Sequence, residues 1–426
     1  MFWWEKKGHL EVMHNQLYVA GLQATALAKE FGTPLFVYNG NRIVENFSRL
    51  KSAFDNCKDR NVRIHYAVKA CPNLTILKML RGEGAWVDCV SPNEVKLALK
   101  AGFEKEKILF TGTSVSNSDL KELAEFGCTI NIDSFSQLQR LAEMRFSGKC
   151  SIRWNPGEGA GLHGHTITAG KFIKFGIPEG KIEEAFRQAK EARLNIVALH
   201  QHIGSGWLGQ DVKIFLSTVD KTIAVAKKAE EILGKQLEFV DFGGGPGIRY
   251  KREHKDFPIE AYAQGICSKM KQSGLKAEIA IEPGRYIVGD SAVLLCEINT
   301  VEDKNVPVIG VNAGFNCLIR PAFYGAHHEM IIADNVGGIS KKKFLVAGNL
   351  CESGDVFNEN REELRELPVP KEGNILALLN AGAYGYAMAS NYNLRARPTE
   401  LLVLNKHARV ISKRESFDEL IQQQKE

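Results

Sequence analysis

Proline is scarce in this chain, at 13 of 426 residues, and the nine cysteines make an odd count with no two spaced C-x-x-C. Neither a disulfide framework nor a zinc knuckle is indicated, so the sequence predicts free thiols. No apolar run approaches the roughly 18–20 residues that a bilayer span requires. Charge of one sign is not in excess either. Lys and Arg number 55 against 50 Asp and Glu, a net +5 spread along the chain, which demands neither nucleic acid nor a membrane surface. The stretch from Met1 to Lys7 turns charged after four residues and has no signal-peptide core, so a cytoplasmic protein is expected. What is present is a globular composition, 44% hydrophobic and 25% charged, with a length that suits two domains of roughly 100–200 residues.

From about residue 60 to 285 one alternation repeats. Short β-branched or aromatic runs (Arg63–Lys69, Ala85–Cys89, Lys107–Thr111, Cys128–Asp133, Cys150–Asn155, Asn195–Ile203, Leu237–Gly243 and Ala277–Glu282) are separated by stretches of helical periodicity. The helices begin near Asn73, Pro92, Asn117, Ser134, Pro178, Gln210 and Phe257, and a segment with Ile43, Phe47, Leu50 and Phe54 at 3-4-3-4 spacing supplies an eighth. Eight strands in series with crossover helices predict a closed (β/α)8 TIM-like barrel of parallel strands over residues 39–285. One helix start is explicit: Ser91 as N-cap, Pro92 at the first position and Glu94 at the third. Beyond Arg285, strand-like runs at Val293–Val301, Val306–Val311, Phe344–Ala347, Ile375–Asn380 and Leu401–Val410 lie between Gly, Asn, Asp and Pro. They predict a mostly antiparallel β domain over 286–426, joined by strands of residues 1–38 around Gln16–Ala20 and Leu35–Tyr38.

A barrel carries its chemistry where its strands end. The first ends in Lys69, an amine that could snorkel outward or, if desolvated, act as a Schiff-base nucleophile. The sixth ends in His200-Gln201-His202. H-x-H on a strand suggests a metal pair, but no third ligand with clear spacing follows, so no metal is expected. The seventh runs into Gly243-Gly244-Gly245-Pro246-Gly247, which lets backbone N–H groups approach an anion. It is not the dinucleotide fingerprint, because Ile248 stands where a glycine is needed. The eighth ends in Glu282-Pro283-Gly284-Arg285. An imine lysine, an anion cradle, a ring-stacking group and an acid for a pyridine nitrogen together are what pyridoxal 5'-phosphate requires.

Several segments resemble the fold-type III pyridoxal-phosphate decarboxylases, and among them the diaminopimelate decarboxylases most. They are Tyr66–Ala70, His200–Ser205, Gly243–Gly245, Glu282–Arg285, Ile319–Tyr324, Cys351–Asp355 and Gly382–Tyr386, and the likeness runs from Gly32 to about Val410. It implies the alanine racemase-like architecture of a barrel plus a β domain. It implies Lys69 as the cofactor-bearing lysine, His202 stacked on the ring and Glu282 on the ring nitrogen. Ser205, Gly245, Gly284, Arg285 and Tyr384 would hold the phosphate. Arg285, Arg320, Tyr324, Glu352 and Tyr384 would contact a small amino-acid substrate, and Cys351 would donate the proton. In such relatives Cys351 and Glu352 reach the partner's site, which implies a homodimer. The implied reaction is decarboxylation of meso-2,6-diaminopimelate to L-lysine, the last step of lysine biosynthesis. Arg320 and Glu352 suit a substrate with an amino-acid head at its far end.

Three alternatives stay open. One is a sister decarboxylase for another amino acid with a polar tail, such as carboxynorspermidine or a D-amino acid. A racemase is disfavoured by the acid at Glu282, and a silent homologue by the presence of Lys69 and Cys351. The chain departs from the family's usual pattern at Asn312, Phe315, Cys71, Ala387 and Ala389. The glycine-rich segment His163–Lys174 is the candidate to close over substrate.

Overall fold

Between residues 62 and 281 eight parallel strands form a ring: β1 (Val62–Ala67), β2 (Trp86–Cys89), β3 (Ile108–Phe110), β4 (Thr129–Ile132), β5 (Lys149–Asn155), β6 (Asn195–Gln201), β7 (Phe239–Asp241) and β8 (Glu278–Ile281). The computed structural model describes every residue except 1, 56, 158, 160–167, 171 and 426. Each strand pairs with the next, and β8 pairs back onto β1 with Ile281 opposite Ile64, so the barrel is closed. The strands are buried on both faces, as Ile130, Ile132, Val240, Ile279 and Ile281 show, which is why they read as continuous apolar runs.

The intervening helices begin close to the positions their caps mark. Asn73, Ser91 and Ser134 each accept from a backbone N–H in the first turn of Leu74–Gly82, Pro92–Lys100 and Phe135–Glu143. Ser116 and Asp119 form a full capping box on Asn117–Phe126. Helices Ile182–Glu191, Val212–Leu233 and Ile259–Ser273 complete the series, and Gly40–Ala53 buries Ile43, Phe47 and Leu50 as its spacing predicts. The free-thiol expectation is corrected at one place: Cys57 and Cys267 are disulfide-bonded. They lie 210 residues apart, so no local spacing announces the pair. The other seven cysteines are free, and of these Cys351 alone is exposed.

The chain divides into two compact units, the barrel (Asn46–Ile248 with Lys255–Ile287) and a sheet unit (Met1–Glu45, Arg249–His254 and Val288–Glu426). In the sheet unit Ala292–Asp303 pairs antiparallel with Leu35–Asn39, Pro307–Val311 and Ile375–Leu378. Two pairings are parallel, Leu35–Asn39 with Thr399–Leu404 and Pro307–Val311 with Lys341–Ala347, so the sheet is mostly but not wholly antiparallel. The single run read at Leu401–Val410 is a hairpin of Thr399–Leu404 and His407–Ser412, turning where Asn405 and Lys406 both take positive φ. Gln16–Val19 joins Leu10–Met13 and Leu22–Gln23 in a separate three-stranded sheet. Its Leu17 and Val19 pack with Leu295, Ile331 and Val403. Asn312 braces this unit, accepting from the Glu297 N–H at 2.9 Å and donating to Thr33 Oγ1 at 2.7 Å. Among the described residues no helix is long and apolar enough to cross a membrane.

Candidate active site

Strand β1 runs into a 3-10 turn, Val68–Ala70, which sets the Lys69 amine on the carboxyl-end rim of the barrel. Its side chain is 35% exposed, and Nζ lies 2.6 Å from Oδ2 of Asp88, a fully buried carboxylate at the end of β2. The other Asp88 oxygen accepts from Thr111 Oγ1 at the end of β3. This acid was not among the residues singled out by sequence, although a charge inside the apolar run Trp86–Cys89 is the signal that marks it. Glu94, in the first turn of the following helix, accepts from the Val90 N–H at 2.7 Å. Burial outweighs that bond and the Lys69 cation, and pushes its carboxyl up to about 7. The Glu94 side chain thus serves Val90 rather than closing a reciprocal box on Ser91.

The next chemistry falls on β6, β7 and β8, consecutive neighbours that lead round to β1. His200 and His202 do not act as a pair. His200 is buried and its Nε2 lies 3.1 Å from Glu282 Oε1. His202 stands one residue past the strand, where its Nδ1 accepts from the Gly244 N–H at 3.1 Å. Burial first, then the Arg153 and Lys69 cations, hold its imidazolium well below the ordinary range, so the ring is neutral with the proton on Nε2. Among the described residues the group that gathers potential metal-ligand atoms is His200 on β6, Asp241 on β7 and Glu282 just past β8, within 4.8 Å of one another. Arg153, on β5, is buried 3.8 Å from Asp133 and lies over the Phe175 ring, a further rim cation not read from the sequence.

The glycines after β7 are required by close approach. A Cβ at Gly243 would fall 2.4 Å from the Gln201 carbonyl, at Gly244 2.3 Å from the Glu282 carbonyl and at Gly245 2.4 Å from the Trp207 ring. The Gly245 carbonyl accepts from both Gly206 and Trp207 N–H groups at 2.9 Å, stitching this loop to the one after β6. Gly284 faces Ala67 and Ala70, next to Lys69, and a Cβ there would meet Ala70 at 2.9 Å. Buried Arg285 places Nε 3.4 Å from Ser205 Oγ. Lys69, His202, Ser205, Gly245, Glu282, Gly284 and Arg285 therefore share one rim.

The remaining expected residues lie in the sheet unit. Arg320 opens a short helix, Arg320–Tyr324, and is buried with its guanidinium over the Tyr250 ring. Its Nη1 is 2.7 Å from His328 Nε2, while His328 Nδ1 donates to the Leu379 carbonyl at 2.8 Å. The carbonyl can only accept, so the proton sits on Nδ1 and the Nε2 lone pair faces the guanidinium. Cys351 and Glu352 are exposed on a loop fixed by Asp355, which accepts from the Phe315 and Leu350 N–H groups at 2.6 and 2.8 Å. Glu352 and Pro321 line one surface cavity of about 340 Å³. Tyr384 holds a positive φ of 57°, a conformation rare for a ring-bearing residue and characteristic of functional positions. Of the closing segment His163–Lys174, residues 163–167 and 171 lie outside those described.

Residues 40–289 match the family of pyridoxal-dependent decarboxylases, pyridoxal-binding domain. The chain is 42% identical to the diaminopimelate decarboxylase of Methanothermobacter thermautotrophicus over 98% of its own length and 96% of the relative's. The chain belongs to the diaminopimelate decarboxylase family. Solved structures of the family agree with the fold. That of M. jannaschii superposes with a TM-score of 0.89 at 30% identity, over 97% of each chain. The Helicobacter pylori member, determined with L-lysine, gives 0.85 at 33% identity over 93% of this chain and 98% of that one. The family placement and the rim coincide, since all seven rim residues fall inside the matched 40–289.

Proposed function

We propose that this chain is a carboxy-lyase that converts meso-2,6-diaminopimelate to L-lysine and carbon dioxide with pyridoxal 5'-phosphate. The observation that carries the reading is the single rim on which Lys69, Glu282 and the Ser205–Arg285 pair meet, in a chain alignable end to end with diaminopimelate decarboxylases. The residues present fit the cofactor: an accessible amine, a buried acid, and a glycine cradle that any Cβ would fill. When bound, pyridoxal phosphate supplies the electron sink for the pair left by the departing carboxylate.

The chain's own groups do the rest. Lys69 is the attachment amine, and Asp88 at 2.6 Å holds the proton that amine must surrender to become nucleophilic. Neutral His202 would lie against the ring, and Glu282 would pair with its nitrogen. Ser205, Gly245, Gly284, Arg285 and Tyr384 hold the phosphate. Arg320, fixed by His328, takes the distal carboxylate and Glu352 the distal ammonium, with Arg285, Tyr324 and Tyr384 completing the substrate contacts. Cys351 delivers a proton to the α-carbon. Its exposure, with that of Glu352, suits a loop that completes the site of a second copy in a homodimer. A cytoplasmic setting accords with a soluble amino-acid substrate.

The test is to supply the cofactor-loaded protein separately with meso-diaminopimelate, L-lysine, L-ornithine and carboxynorspermidine, with Lys69→Ala as blank. Carbon dioxide and L-lysine from the first substrate alone is the expected result. Carbon dioxide from another substrate in its place would overturn the specificity.

A further inference from the structure

Four titratable groups are buried together inside the barrel beneath the rim: His65 on β1, Asp241 on β7, His200 on β6 and Glu282 just past β8. His65 Nδ1 lies 3.3 Å from Asp241 Oδ2, and His200, Asp241 and Glu282 bring one ligand-type atom each within 4.8 Å of one another. The strand between β7 and β1 offers only the methyl of Ala280 at the position paired with Asp241, so the two side chains reach each other inside the barrel. Three of these polar atoms, His65 Nδ1, His200 Nδ1 and Asp241 Oδ2, make no hydrogen bond among the described residues. Barrel interiors are ordinarily filled by branched apolar layers, and each buried, incompletely satisfied charge costs stability. Such a set is retained where it serves a site. Glu282 is the one member that reaches the rim. Its Oε1 is engaged by His200 at 3.1 Å.

We infer that His65, Asp241 and His200 are positioning residues for Glu282: the row fixes one carboxylate oxygen through the His200 Nε2–H and presents the other to the cofactor's ring nitrogen, so that this nitrogen stays protonated. The inference rests on the cofactor reading above. His200 supplies the direct hydrogen bond. Asp241, within 4.8 Å of His200 and Glu282, and His65 beside it fill the space around His200. His200 itself touches neither cofactor nor substrate.

The readout is the ring-nitrogen signal of protein loaded with 15N-labelled pyridoxal phosphate, recorded beside kcat and KM for meso-diaminopimelate. Native protein should show a protonated ring nitrogen. His200→Leu should move the signal toward the unprotonated position and lower kcat about 10- to 100-fold, with KM changed less than about twofold. His200→Gln keeps an N–H donor at the same place, so it should restore the protonated signal and most of kcat. A protonated signal unchanged in a folded His200→Leu would overturn the inference, as would a Gln variant no better than Leu. If His200→Leu does not fold, 15N-histidine labelling of the native protein decides: a His200 Nε2 without a proton overturns the inference, and one that carries a proton shielded from exchange supports it. Native protein that fails to take up the labelled cofactor at all would overturn the cofactor reading and this inference with it.

Discussion

Glu94 shows how one residue couples the rim to stability. Its acid is raised from 4.5 to about 7 because burial disfavours the carboxylate more than Lys69 and the Val90 N–H favour it. Between those values the folded chain binds more protons at this position than the unfolded chain, so stability falls as pH rises through the window, by at most about 3 kcal/mol. Glu94→Gln keeps an acceptor for Val90 and removes the titration. In urea denaturation of the cofactor-free protein its stability should exceed the native value above pH 7, and the difference should vanish near pH 4.5. Arg320 gives the second prediction at this scale. Arg320→Met should lower kcat/KM for meso-diaminopimelate about 10- to 100-fold through loss of a charge-assisted bond, while the cofactor's absorption stays native. Substrate titration with spectral monitoring checks both. Lys69, Glu282 and Arg285 were legible in the sequence because each interrupts the end of an apolar run. Asp88 carried the same kind of signal, a charge within Trp86–Cys89, yet four short residues are easily taken as plain strand. His65 and Asp241 were not legible as a pair, because barrel closure alone brings them within 3.3 Å.

At the scale of elements, the helix Pro92–Lys100 was readable in detail because local hydrogen bonds and local covalent geometry coincide there: Ser91 caps, and Pro92 lacks the N–H that would otherwise be orphaned. Ser91→Ala should therefore cost about 1 kcal/mol, seen as a lower denaturation midpoint. The strands of the sheet unit were less legible. The run from 399 to 412 is continuously strand-like, and its turn at Asn405–Lys406 contains no glycine to announce it. Met330–Ile332 and Arg365–Pro368 are too short to show a period of two. The parallel pairing of Leu35–Asn39 with Thr399–Leu404 joins opposite ends of the chain, which no local pattern encodes.

Two features belong to the whole molecule. The Cys57–Cys267 bond ties the segment after Gly40–Ala53 to Ile259–Ser273 across the barrel sequence. Reduction, or Cys267→Ser, should lower unfolding free energy by about 2–5 kcal/mol, measured with and without dithiothreitol. The proposed sharing of the site between two copies predicts complementation: Lys69→Ala and Cys351→Ala, each inactive alone, should recover roughly a quarter of native activity when unfolded and refolded together, since random pairing makes half the dimers mixed with one intact site each. The eight-strand rhythm made the barrel legible as a whole. The roles proposed for the sheet unit rested on the family resemblance, because the motifs around Arg320, Cys351 and Tyr384 carry no periodic signal of their own.

The most direct experiment is proton NMR of the loaded protein acting on meso-diaminopimelate in deuterium oxide. One equivalent of carbon dioxide should appear with L-lysine bearing a single deuterium at the carbon that lost its carboxylate, placed with one handedness. Deuterium entering an α-position of diaminopimelate that keeps both carboxylates would instead signal racemisation, and would contradict the roles given to Glu282 and Cys351.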